Sequence, residues 1–351
     1  MIYPVNGESL ALAAAAIRAG GLAAFPTETV YGLGGDAFNP LALAAIFEVK
    51  GRPRFDPLIV HIAGLLTLEE VADLSRLDSR AREQVERLAA SCWPGPLTLV
   101  LPKRESVPDL ATAGLSTVAV RFPAHPAARE LIRLSTGAVA APSANRFGCL
   151  SPTRAEHVAE QLGGRVDIIL DGGSSGVGLE STVLDMSAFP PRILRPGGLA
   201  REALERILGP LPPAGPPDAS GPQVAPDKLR TPGELRSPEL RSPGMLSSHY
   251  APRTPLYLHG PGAIPPWEKD SGWLFFSAQS RDRWHPGRGA EPRGAVEVLS
   301  REGDSREAAA RLFEALHRLD RLGLRRIHAE LAPPQGLGEA INDRLGRAAV
   351  H

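Results

Sequence analysis

Apolar residues recur at helical spacing in some stretches of the chain and at strand-like density in others, and both kinds recur through most of its length. Residues 8–19, alanine-rich and stopped by Gly20-Gly21, predict a first helix. Leu22–Phe25 predicts a short buried strand that enters a loop at Pro26. Helical patterns follow over 41–49, 76–88, 125–134, 154–161 and 201–208. Strand patterns fall at 57–62, 97–101, 117–122, 138–141, 166–170, 181–186 and 192–194. The expected class is α/β, but helices and strands do not alternate regularly enough for a simple doubly wound sheet.

Between Gly209 and Pro255 the pattern breaks. Twelve prolines fall in these 47 residues, and Glu-Leu-Arg-Ser-Pro occurs twice in tandem, at 234–238 and 239–243. Such a segment cannot bury a core and reads as a linker. Beyond it, strand patterns at 255–258, 273–276, 296–299 and 326–331 accompany helical patterns at 305–322 and 337–349. They predict a second, smaller α/β domain. The expected division is therefore 1–208, a linker over 209–254, and 255–351.

Composition narrows the function classes. With 351 residues, 43% of them hydrophobic and 22% charged, the chain can form packed cores. No run approaches the roughly 20 apolar residues of a membrane span. Met1-Ile2-Tyr3-Pro4 lacks the basic-then-apolar pattern of a secretion signal, so a cytoplasmic protein with no membrane partner is expected. Two cysteines, Cys92 and Cys149, exclude a disulfide framework and a cysteine-rich zinc site. Residues 1–206 carry 20 basic and 22 acidic side chains, and 207–351 carry 19 and 17, so neither half has the basic excess of a protein living on a nucleic-acid backbone. Only Lys50, Lys103, Lys228 and Lys269 are lysines, which makes a lysine inside a dense motif more notable.

No Walker sequence, dinucleotide fingerprint, nucleophile elbow or metal-spaced histidine pair is present. What the chain offers is a series of loops rich in small polar residues. Pro26-Thr27-Glu28-Thr29-Val30-Tyr31-Gly32-Leu33-Gly34 supplies hydroxyls and a backbone that a ligand can approach. Lys50-Gly51-Arg52-Pro53-Arg54 puts three cations just past a helix, where they suit either the helix dipole or a phosphate. Ala141-Pro142-Ser143-Ala144-Asn145 ends a strand with donors and acceptors exposed at its carboxyl end, and Leu179-Glu180-Ser181-Thr182 and Arg192-Ile193-Leu194-Arg195-Pro196-Gly197 are expected to do the same. Together they describe a polar cleft lined by strand ends.

These motifs, with Lys50-x-Arg52 paired to Ser143-x-Asn145 and Ser-Pro-Gly-Met…His-Tyr-Ala-Pro at 242–252, resemble the YrdC-like threonylcarbamoyl-adenylate synthases in their longer, two-domain form. The resemblance covers essentially the whole chain. It implies a YrdC-like domain with a twisted mixed sheet and a smaller, Rossmann-like C-terminal domain. It also implies an enzyme making threonylcarbamoyl-AMP and pyrophosphate from L-threonine, bicarbonate and ATP, a nucleotidyl transfer. The product would serve N(6)-threonylcarbamoyladenosine formation on tRNAs reading codons that begin with A, with tRNA and downstream threonylcarbamoyl-transferase proteins as further partners. Mg²⁺ would be held mainly by the ATP phosphates, with no metal site in the protein.

Carried over motif by motif, Thr29, His61, Arg121, Ala141 and Ser181 would hold threonine, Arg121 through its carboxylate. Arg52, Asp56, Thr117, Ser143, Ser151, Arg195 and Tyr250 would hold ATP, and Lys50, Arg52, Ser143 and Asn145 would form the catalytic signature. The family has asparagine more often where this chain has Asp56, and a carboxylate there needs a neutralising partner. Residues 242–252 are expected to fold over the cleft as a lid through His249 and Tyr250. Two alternatives stand beside this reading: an RNA-binding YrdC-like module without synthase activity, and carbamoyl transfer as in hydrogenase-maturation proteins. The acylphosphatase and zinc-finger segments of the latter are absent from this sequence.

Overall fold

Strands β1 (Ile2–Pro4), β2 (Ala23–Phe25), β3 (Gly32–Asp36), β4 (Ile59–Ile62), β5 (Leu97–Pro102), β6 (Thr117–Arg121), β7 (Ala138–Ala140), β8 (Ile168–Asp171), β9 (Thr182–Asp185) and β10 (Arg192–Arg195) form one sheet. Its order is β1-β8-β2-β3-β7-β4-β6-β5-β9-β10, with parallel and antiparallel neighbours mixed. Around it pack α1 (Gly7–Arg18), α2 (Pro40–Lys50), α3 (Leu65–Val71), α4 (Ser79–Cys92), α5 (Asp109–Thr112), α6 (Pro126–Leu134), α7 (Ala155–Leu162) and α8 (Arg201–Leu208). The computed structural model describes residues 1–214, 249–263, 265–284 and 295–349. Most of the expected linker, with the tandem pentapeptide and residues 242–248 of the expected lid, lies outside the described residues.

A second sheet, wholly parallel, joins β11 (Leu256–His259), β12 (Ser271–Ser277), β13 (Val296–Ser300) and β14 (Arg326–Glu330) in the order β11-β14-β12-β13. It carries α9 (Ala278–Arg283), α10 (Ser305–Asp320) and α11 (Gly338–Ala348). The whole is α/β with a mixed sheet and a smaller parallel one. Among the described residues no helix is long and apolar enough to cross a membrane.

Local chemistry sets the helix boundaries. Asn6 and Ser9 form a reciprocal capping box at the start of α1. Asn39 caps α2, Pro40 opens it, and Gly51 closes it in the left-handed conformation at φ 62°. That stop turns the chain so that Arg52 leaves the helix toward the sheet.

β3 is the instructive departure from the pattern, because Gly32-Leu33-Gly34-Gly35 reads as loop. It lies antiparallel to both β2 and β7. A Cβ on Gly34 would sit 2.6 Å from Phe25 and 2.7 Å from Val139, so glycine is what lets the neighbouring side chains close over this strand. β1, α3, α5 and α9 were likewise not in the pattern; three of these four are six residues or shorter.

The two parts share an apolar cluster. Val30, Leu150, Leu179 and Tyr250 pack with Leu312, Phe313 and Leu316 of α10 and with Ile341 and Leu345 of α11. Contact is close at Gly178 (φ 73°), where a Cβ would lie 2.5 Å from the Ala309 carbonyl oxygen. His157 of α7 stacks on His317 of α10 with ring centroids 3.9 Å apart.

Candidate active site

A cavity opens where these parts meet. Thr27, Thr29, Val30 and Tyr31 line it from the loop between β2 and β3, Gly32 from the start of β3, Ile59 and His61 from β4, and Arg121 from the end of β6. Ala141, Pro142 and Ser143 enter after β7, Arg52 after α2, Arg195 from the end of β10, and His249 with Tyr250 from beyond the linker. Glu180 and Ser181 also line it, from the amino end of β9 rather than a carboxyl end.

One face of the sheet forms the floor. His61 pairs with Arg121 and Ile59 with Ala119 across β4 and β6, so the pleat carries Arg121, Ala119 and Thr117 along the same side. Arg121 lies 2.7 Å from the Glu28 carboxylate and donates Nε to the Gly95 carbonyl at 3.3 Å. Burial pushes the Glu28 carboxyl up, but the Arg121 charge and hydrogen bond outweigh it and hold Glu28 below the usual carboxylate range. Burial, and then the Arg121 charge, push the His61 imidazole down to about 3, so it is neutral near pH 7. Thr27 Oγ1 donates to the Val30 carbonyl at 2.6 Å and lies 2.8 Å from Thr29 Oγ1, and Thr98 and Ser181 hydroxyls meet at 2.7 Å. The result is a cation, a neutral imidazole and the hydroxyls of Thr27, Thr29 and Ser181 in a cavity that Ala141 also lines, suited to a small zwitterion.

The other half is cationic. Arg52 donates to the carbonyls of Asp56 (3.2 Å) and Pro57 (2.9 Å) and faces the Asp56 carboxylate at 2.9 Å. Burial still raises the Asp56 carboxyl above its usual range. Arg195 Nη2 donates to the Ser181 carbonyl at 2.9 Å. Ser151 Oγ donates to Glu180 at 2.5 Å. Lys50, fully buried, donates its ammonium to the carbonyls of Ser143 and Asn145, both at 2.5 Å. Asn145 Nδ2 donates to the carbonyls of Arg146 and Cys149, while its Oδ1 accepts from Ser143 Oγ. Lys50 and Asn145 thus brace the turn that presents Ser143.

Of the residues expected at threonine, all five line the cavity: Thr29, His61, Arg121, Ala141 and Ser181. Arg52, Ser143, Arg195 and Tyr250 line it from the nucleotide set, as does His249. Lys50, Asn145, Asp56 and Ser151 sit behind the lining, each bonded to a residue in it or paired with one. Thr117 shares the floor's face but does not line the cavity. Buried His249, which lines the cavity, has no hydrogen-bond partner for Nδ1 among the described residues. Tyr250 holds a left-handed backbone at φ 63°, uncommon for a bulky residue, with its ring buried. Residues 249–254 are anchored as well: Ala251 N donates to the Gly148 carbonyl, and Thr254 N to the Asp320 carboxylate.

Thr27, Glu28, Glu180 and Arg344 were not singled out from the sequence. Thr27, Glu28 and Glu180 stand inside the polar runs, where adjacency was the available signal; Arg344, on α11, carried none. Among the described residues no three His, Cys, Asp or Glu side chains gather as a metal cage, and Glu180 in the lining, with Glu28 and Asp56 beside it, each face an arginine.

Comparisons with known proteins identify the family. Residues 15–197 match the Sua5, YciO and YrdC family, described as telomere recombination, and 199–350 match the threonylcarbamoyl-AMP synthase C-terminal domain. The threonylcarbamoyl-AMP synthase of Pyrococcus abyssi is 43% identical over 340 residues, covering 96% of this chain and 93% of that protein. That of Bacillus subtilis is 40% identical over 349 residues, covering 98% and 94%. The crystal structure of P. abyssi Sua5 complexed with L-threonine superimposes with a TM-score of 0.81 at 39% identity, covering 99% of this chain and 97% of that one. Two family matches spanning the sheet and its smaller companion, with relatives alike end to end, place the chain in the threonylcarbamoyl-AMP synthase family, in its two-domain form.

Proposed function

We propose that this chain condenses L-threonine, bicarbonate and ATP into threonylcarbamoyl-AMP and pyrophosphate, with threonine at the His61–Arg121 half of the cavity and the nucleotide at the Arg52–Arg195–Tyr250 half. Family membership supplies the reaction class, an ATP-using synthase acting by nucleotidyl transfer. For the residues, one observation carries the reading: all five side chains expected at threonine and four expected at ATP converge on one cavity.

The threonine amine adds to bicarbonate with loss of water, giving a carbamate. A carbamate oxygen then attacks the α-phosphorus; that O–P bond forms as the bond to the β-phosphate oxygen breaks, and pyrophosphate leaves. The chain's work is positioning and electrostatics. Arg121 takes the threonine carboxylate, and Thr29 and Ser181 supply hydroxyl contacts. Neutral His61 offers a hydrogen bond without placing a second cation against Arg121. Arg52 and Arg195 face the phosphates, and Ser143 is held toward them by Lys50 and Asn145. His249 and Tyr250 cover the nucleotide and shield the mixed anhydride from water. Mg²⁺ belongs with the phosphates, where it would offset their charge; Glu180 in the lining and Glu28 and Asp56 beside it are engaged with arginines. Delivery of the product to downstream threonylcarbamoyl-transferase proteins and tRNA, in the cytoplasm, completes the proposal.

Mass spectrometry of products, with a pyrophosphate assay, tests it. Release is expected only with both threonine and bicarbonate present. Equal release without threonine would refute the reading, and salt-sensitive tRNA binding without ATP turnover would favour the RNA-binding alternative.

A further inference from the structure

His317 and Arg344 of the C-terminal domain both reach residues of the site, His317 at the Ser151 carbonyl and Arg344 at several points. Arg344, on α11, has no exposed side-chain surface. Its Nε donates to Glu180 at 2.7 Å, its Nη2 to the Pro196 carbonyl at 3.0 Å, and its Nη1 pairs with Asp343. The guanidinium carbon lies 5.0 Å from the centroid of the Tyr250 ring. Apart from Asp343 on α11 itself, these partners come from three separate stretches of chain: the run before β9, the turn after β10, and the end of the linker. Glu180 and Tyr250 line the cavity, and Pro196 follows Arg195, which also lines it.

We infer that Arg344 is a positioning residue for the nucleotide half of the site, and that fixing this half is a task of the C-terminal domain. Through Glu180 it orients Ser151, whose hydroxyl donates to the other oxygen of the same carboxylate. Through Pro196 it fixes the turn from which Arg195 projects. Through its face it holds Tyr250, whose left-handed backbone needs support from outside its own segment. The rest of α11 acts in the same sense, since His249 N donates to the Arg347 carbonyl at 3.2 Å. The geometry calls for arginine: a planar fork serves a carboxylate and a carbonyl while its face meets a ring, whereas lysine offers a single point charge.

This inference rests on the reading that Ser151, Arg195 and Tyr250 meet the nucleotide, so the experiment separates the two. Michaelis constants for ATP and for threonine are measured by pyrophosphate release in the full chain for wild type, Tyr250→Ala, Arg344→Lys and Arg344→Met. Arg344→Lys is expected to raise the ATP constant about tenfold or more, from the loss of charge-assisted contacts, while the threonine constant stays within about twofold. Arg344→Met should do so more strongly, since it leaves the Glu180 charge uncompensated. If Tyr250→Ala leaves the ATP constant unchanged, the site reading fails and the inference with it. If Tyr250→Ala raises it and Arg344→Lys does not, the inference alone fails. Parallel rises in both constants, or a lower melting temperature with unaltered constants, would mean a purely structural arginine and overturn it. Should Arg344→Met not fold, Arg344→Lys decides; a lysine variant that also fails to fold counts against the inference.

Discussion

Arg121 and Glu28 face each other at 2.7 Å at the threonine half of the cavity, both largely buried. Removing one member of such a pair leaves an uncompensated charge and costs about 3–5 kcal/mol. In Glu28→Gln the missing negative charge is what a bound carboxylate can restore. Threonine should therefore raise the melting temperature of Glu28→Gln by more than it raises that of wild type. Equal shifts would mean that Arg121 does not meet the threonine carboxylate.

Lys50 and Asp56 separate support from contact. Lys50→Met deletes two bonds to the carbonyls of Ser143 and Asn145, so it should lower both stability and turnover, by about 1.5–3 kcal/mol per lost charged contact in stability. Asp56→Asn keeps an acceptor beside Arg52 while removing a carboxylate that burial already disfavours. It should keep activity within about threefold and lose less stability than Arg52→Met, which strands the buried Asp56. Urea unfolding with steady-state assays of the three variants checks the ranking; an Asp56→Asn chain as damaged as Arg52→Met would overturn it.

Much of this was legible in the sequence. The strands that build the floor, β4, β6 and β7, follow from dense apolar runs, and the polar loops at their ends mark the cleft. β3 was hidden because its glycines answer to Phe25 and Val139, side chains brought up by tertiary packing and not by sequence adjacency. Lys50 and Asn145 were legible as a pair, though their bonds show them bracing a turn from behind the cavity. Arg344 was not legible at all. It is one of two arginines on an amphipathic helix, and it is singled out only by where α11 docks.

Gly178 probes that docking. It combines a left-handed φ of 73° with a hypothetical Cβ 2.5 Å from the Ala309 carbonyl oxygen and the Ala310 Cα. Both neighbours are helix backbone and cannot swing aside. Gly178→Ala should cost roughly 2 kcal/mol or more, through strain and loss of close approach. Limited proteolysis should then cut between the two parts faster than in wild type. Unchanged cleavage and melting would show that α10 can shift to admit a methyl group.

The last prediction concerns acid. His157 and His317 stack between the two parts, with Arg154, Arg318 and Arg321 disfavouring a further positive charge on His157, Arg321 doing the same to His317 against Glu160 and Asp320, and Glu314 paired to Arg154 and Arg318. Burial first, and His317 next, push the His157 imidazole down to about 3. Unfolded, the same ring titrates near 6.5. Below that value the unfolded chain binds a proton that the folded chain refuses, so stability present at neutral pH is lost as the pH falls from about 6.5 toward 3. Between pH 7 and pH 5 this one ring should account for about 2 kcal/mol of the loss. His157→Phe keeps a ring on His317 but has no proton to take up, and its urea-unfolding free energy should fall correspondingly less over the same interval. If wild type and His157→Phe lose equal stability between pH 7 and pH 5, His157 is protonated in the folded chain after all, and the junction has room for the charge.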